Sequence, residues 1–101
     1  YKEIDAKELD TSQNLKSLLD FGTQQFIQKA SDENKLTDTK LTLTKVNHVY
    51  SQVVAGMNYK FDVEYTDSLG KSVFANFVVF YQPWTGTKEL SSYEIKERPS
   101  F

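Results

Sequence analysis

QNLKSLLDFGTQQFIQKA, residues 13–30, is the stretch whose reading decides the fold. Its apolar positions Leu15, Leu18, Leu19, Gly22, Phe26 and Ala30 recur at steps of three and four, which places them in one stripe along an α-helix. Thr11 and Ser12 are the N-cap candidates, and Ser31-Asp32-Glu33-Asn34 is a polar stop, so the spacing predicts one helix of roughly five turns. Gly22 lies on the apolar face. An interior glycine costs about 1 kcal/mol of helix propensity relative to Ala, and its use here is to let a sheet approach the helix axis closely.

Beyond the helix the apolar period changes from 3.6 to 2. Thr39–Val54, Asn58–Tyr65, Val73–Tyr81 and Leu90–Lys96 read as strands. Turns are expected at Ala55-Gly56-Met57, Asp67-Ser68-Leu69-Gly70-Lys71 and Gln82-Pro83-Trp84-Thr85-Gly86-Thr87, each with a Gly able to take positive φ. Tyr1–Leu9, anchored by Ile4 and Leu9 alone, is expected to add a first strand. The class is α+β: one long N-terminal helix across a four- to five-stranded antiparallel sheet.

The 101 residues, 39% hydrophobic and 26% charged, amount to one globular domain over 1–101. No apolar run approaches the ~20 residues of a membrane-spanning helix, so no membrane partner is expected. The balance of 12 basic and 14 acidic residues, with no basic cluster among the aromatics, argues against nucleic acid. Without Cys there is neither a disulfide nor a thiolate nucleophile. His48, the single His, falls in a strand and reads as a strand-surface side chain. One His, no G-x-S-x-G and only four Gly leave no catalytic constellation, metal site or phosphate loop, so no enzyme and no cofactor are expected. A chain opening on Tyr1 rather than Met suits removal of a leader, which leaves a secreted or endolysosomal setting and a cytoplasmic one both open.

Two turns break the rule that loops are polar. Gln52-Val53-Val54-Ala55-Gly56 sets two β-branched residues at a turn, and Pro83-Trp84 sets the only Trp in another. Taken singly, such residues are more often core than docking residues. Strand directions alternate, however, so both turns fall at one end of the sheet. Tyr1-Lys2-Glu3 reaches the same end if its strand runs antiparallel to the one after the helix, and the three segments then form a wedge.

On these residues the chain resembles the cystatins, inhibitors of papain-like cysteine proteases. Gln52-Val53-Val54-Ala55-Gly56 matches the family's Q-x-V-x-G hairpin, and Pro83-Trp84 its second-hairpin P-W pair. The resemblance extends to the early helix with Leu18, Phe21 and Phe26, the interval from Gly56 to Pro83, and the closing Leu90-Ser91-Ser92-Tyr93-Glu94. Lack of Cys suits the stefin and plant-type branches, and Pro83-Trp84 the plant-type and secreted animal ones. Gly22-Thr23 departs from the Ala-Val of the plant-type helix signature, and no Gly precedes Gly22 where the family has one in its N-terminal arm. Asp32 stands where some secreted members hold the Asn that binds legumain, so no legumain site is implied.

The resemblance implies reversible, tight plugging of a cathepsin- or papain-type cleft by Tyr1, Lys2 and Glu3, by Gln52 to Gly56, and by Pro83 and Trp84, with no chemistry from the inhibitor. The active form is then a monomer. The crowded turn at Val53 and Val54 is a hinge that could open into a domain-swapped dimer. The competing reading is a module of the same fold that has lost inhibition, for which polar residues in place of Val53, Val54 or Trp84 would be expected.

Overall fold

A computed structural model describes residues 1–96 other than 6 and 37, and at residue 10 the backbone alone. The last five positions of the expected 1–101 domain lie outside the described residues. In chain order the elements are β1 (Lys2–Ile4), α1 (Glu8–Thr11), α2 (Gln13–Asp32), β2 (Thr42–Val54), β3 (Gly56–Thr66), β4 (Ser72–Gln82) and β5 (Thr87–Lys96). The strands form one sheet in the order β1-β2-β3-β4-β5, and every neighbouring pair is antiparallel.

Helix α2 starts where Ser12 Oγ accepts a hydrogen bond from the Leu15 N–H at 3.2 Å, satisfying one of the orphan donors of the first turn. Its end is a Schellman motif. Asn34 takes φ of 58°, its N–H reaches Ser31 O at 3.0 Å, and the Lys35 N–H reaches back to Ala30 O at 2.8 Å. The buried stripe is the one the spacing predicts: Leu15, Leu18, Leu19, Gly22, Phe26 and Ala30.

The stripe meets Phe61, Val63 and Tyr65 of β3 and Ala75, Phe77 and Val79 of β4, the alternate residues that point to one face of the sheet. Phe26 stacks on Tyr65 and Phe77 at 5.7 and 6.2 Å and meets Tyr93 edge-on at 5.6 Å. A Cβ on Gly22 would sit 2.2 Å from Phe77 Cε2, so the glycine is where the helix lies against the sheet. The Tyr65 hydroxyl finds Thr23 Oγ1 at 3.0 Å. Burial pushes the Tyr65 phenol up to about 12 despite that hydrogen bond, which acts in the other direction.

Three expectations are corrected. The strand expected over Tyr1–Leu9 stops at Ile4, because Asp5 turns the chain: its Oδ1 accepts from the Lys7 N–H at 3.0 Å and its carbonyl from the Glu8 N–H at 2.9 Å. Leu9 is buried from the short helix α1 instead. Strand β2 begins at Thr42 rather than Thr39, after Asp38 has accepted from the Lys40 N–H at 2.9 Å. The first hairpin turn is not Ala55-Gly56-Met57, since Val54 already pairs with Gly56 and Val53 with Met57, leaving Ala55 alone at the tip.

Unpaired Thr44 and Asn47 break the register and bend β2, and unpaired Ser91, opposite Val78 and Val79, does the same to β5. On the face away from the helix, Asp62 is buried with Lys96 Nζ at 3.9 Å.

Candidate functional site

The alternating strands bring the β2–β3 tip and the β4–β5 turn to the same end of the sheet. β1 arrives there too, with Lys2 opposite Ser51, Glu3 opposite Tyr50 and Ile4 opposite Val49. Five large hydrophobics are exposed among the described residues. Four of them, Tyr1 at 59%, Val53 at 79%, Val54 at 44% and Trp84 at 68%, stand at this end, while Leu69 is in the β3–β4 turn at the other. Together they make an exposed apolar patch at one end of the sheet, of the kind that docking surfaces use.

The first hairpin is narrow for a reason that lies in its neighbour. Gly56 is buried with φ of +128°, and a Cβ there would meet the Tyr81 carbonyl oxygen at 2.8 Å and the Phe80 ring at 3.0 Å. Only a residue without a side chain lets β3 leave the tip pressed against β4. Gln52 faces Asn58 across the ladder and accepts from its Nδ2 at 3.2 Å, closing the base of the hairpin, while Val53, Val54 and Ala55 project beyond it.

The second hairpin turns through Pro83-Trp84-Thr85-Gly86. The Thr85 N–H donates to Gln82 O at 3.3 Å and the Gly86 N–H to Pro83 O at 3.2 Å, with Gly86 at φ of +69°. Pro83 and Trp84 are both exposed. Two polar residues that sequence reasoning missed join in here: Gln82 Nε2 donates to the Ala55 carbonyl at 2.9 Å, and Thr85 Oγ1 lies 2.8 Å from Gln82 Oε1. The only sequence signal was a polar residue directly before Pro83-Trp84, and a strand-end Gln is too common to single out.

Neither turn contains an ionisable side chain from Gln52 to Gly56 or from Gln82 to Thr87, so the surface is apolar and amide in character. Charge enters through the arm. Lys2 and Glu3 are exposed, and Glu3 Oε2 lies 3.6 Å from His48 Nδ1. His48 is on β2 as expected, but it is no plain surface side chain: Nδ1 is buried without a hydrogen-bond partner among the described residues, and the ring stacks on Tyr50 at 5.8 Å. Among the described residues no three His, Asp or Glu gather in a group that could hold a metal ion.

A family model described as "Cystatin domain" matches residues 4–99. Cysteine proteinase inhibitor 8 of Oryza sativa subsp. japonica is 36% identical over 59 residues, covering 58% of this chain and 48% of that protein. Cysteine proteinase inhibitor 2 of Arabidopsis thaliana is 29% identical across 82% of this chain and 63% of its own length. The chain thus spans between about half and just under two thirds of these relatives. Among solved structures, salivary cystatin from the soft tick Ornithodoros moubata aligns with a TM-score of 0.51 and 27% identity, over 56% of this chain and 69% of that one.

Proposed function

The chain belongs to the cystatin family, and from that premise we propose that it is a reversible, tight-binding inhibitor of papain-like cysteine proteases. In this reading residues 1–101 form one domain, and three segments enter the protease cleft together. Val53, Val54 and Ala55 form the leading tip, with Gln52 and Gly56 holding it narrow. Pro83 and Trp84 enter beside it, and Tyr1, Lys2 and Glu3 flank them. No peptide bond is offered at the protease's catalytic Cys, so no reaction is asked of the inhibitor. The plant relatives are themselves named as inhibitors and not as enzymes.

The observation that carries the reading is the gathering of Tyr1, Val53, Val54 and Trp84, all exposed, at one end of the sheet. At ~25 cal/mol per Å² of apolar surface removed from water, docking a Trp and two Val is worth several kcal/mol before the cost of association. Turns braced by Gly56 and by hydrogen bonds lose little freedom on docking, which keeps that cost down. Titrating papain with the purified chain tests the proposal. Stoichiometric loss of peptidase activity, recovered on dilution, is the expected result. Full papain activity in the presence of excess folded chain would instead support a module of this fold that does not inhibit.

A further inference from the structure

We infer that Gln82 is a positioning residue for inhibition, whose side-chain amide fastens the β2–β3 tip to the β4–β5 turn so that both present one preformed surface. The inference rests on the inhibitor reading above. Ala55 is the single residue between β2 and β3 and stands outside their ladder, so its carbonyl takes no partner from that pairing. Gln82 supplies one at 2.9 Å from the far side of β3, across 27 residues of sequence.

The amide has a partner at its other end as well. Thr85 Oγ1 lies 2.8 Å from Gln82 Oε1, 3.2 Å from Gln82 O and 2.7 Å from Thr87 Oγ1. A hydroxyl has one proton to give. The Ala55 carbonyl can only accept, so the amide end that faces it is Nε2; Oε1 then takes the Thr85 proton, and Thr85 accepts from Thr87. A flipped amide would set oxygen against the Ala55 carbonyl and nitrogen against the donating hydroxyl, so the chain Thr87, Thr85, Gln82, Ala55 is consistent in one sense only. It joins the tip that carries Val53 and Val54 to the turn that carries Trp84.

A residue that positions the surface acts on the fraction of molecules ready to dock, and so on the association rate, whereas a residue that touches the partner acts mainly on dissociation. Losing one clasp of this kind should slow association with papain about three- to tenfold in Gln82→Ala, with dissociation unchanged and the melting midpoint lowered by no more than the loss of one hydrogen bond. Gln82→Glu sharpens the test. It keeps the acceptor for Thr85 but sets a carboxylate against the Ala55 carbonyl at pH 7, so association is slow there. It recovers toward the wild-type rate near pH 4, where the protonated acid donates again.

Independently of any protease, ¹⁵N relaxation in Gln82→Ala should show backbone order at residues 54–57 falling from rigid values toward ~0.6. Wild-type association by Gln82→Ala, or faster dissociation with association unchanged, overturns the inference, as does unchanged order at the tip. If the wild type itself fails to inhibit papain, the inhibitor reading fails, and the relaxation measurement alone decides whether Gln82 holds the tip.

Discussion

Trp84 is 68% exposed at a turn, so its removal leaves no cavity to collapse. Trp84→Ala is expected to weaken protease binding by ~1–3 kcal/mol, chiefly through faster dissociation, with the melting midpoint nearly unchanged. A Trp held in a core would cost ~3–5 kcal/mol of stability instead, and a thermal melt alongside an inhibition assay separates the two outcomes. Tyr65 is the opposite case, buried under α2 with its phenol pushed up to about 12. An unfolded tyrosine titrates near 10, so between about pH 10 and about pH 12 the native state keeps a proton that the unfolded state has released. The stability this contributes is complete below pH 10 and is lost as pH rises through 12. Urea midpoints should fall across that window, and fall less steeply in Tyr65→Phe. At pH 7 the same substitution should cost ~0.5–1.5 kcal/mol, because the half-buried Thr23 hydroxyl loses its partner.

Between elements, two glycines govern how closely backbones approach, and in each case local preference and packing pull in different directions. Ala at position 22 would favour the helix by about 1 kcal/mol in propensity. Its Cβ, however, would stand 2.2 Å from Phe77 Cε2 and 2.8 Å from Val79 Cγ2, and Phe77 is wedged between Phe26 and Phe61. Overpacking wins: Gly22→Ala should lower stability by ~1–3 kcal/mol in urea unfolding, and an unchanged or higher midpoint would show that Phe77 has room to move. Gly56 was read from the sequence as a turn residue, but the structure puts it at the head of β3 against the Tyr81 backbone. A carbonyl oxygen cannot swing aside as a side chain can. Gly56→Val should therefore lower the melting midpoint as well as inhibition, a pairing that Trp84→Ala does not produce.

Taken whole, the surface is assembled from the chain start and two turns far apart in sequence, so it exists only in the assembled sheet. A domain-swapped dimer would therefore differ from the monomer in function. If the β2–β3 hairpin opens at Ala55, β2 and β3 become one long strand, and α2 with β1 and β2 can exchange between two chains. We expect heating near the unfolding midpoint to yield dimers on size-exclusion chromatography, and those dimers not to inhibit, because the tip at Val53–Ala55 no longer exists in them. Monomer alone after such heating, or a dimer that inhibits fully, would contradict this.

Periodicity was enough to specify the helix and its buried stripe, because burial along a helix is local arithmetic on side-chain direction, and the short turns were enough to specify the antiparallel order of the strands. Leu15, Leu18, Leu19, Phe26 and Ala30 could be assigned to the core before any fold was known. The two apolar turns were legible for the same reason: Val53, Val54 and Trp84 interrupt a polar pattern. The end of β1 was missed although its cause is local: the Asp5 Oδ1 and carbonyl accept from the Lys7 and Glu8 N–H groups, a turn that Asp favours. What depended on distance in space was out of reach. Gly56 is glycine because of Tyr81, and Gln82 reaches Ala55, across a strand pairing whose register periodicity does not specify to the residue. A sequence states which side chains prefer to be buried. Which backbone oxygen lies 2.8 Å from a missing Cβ is decided only when the strands are laid side by side.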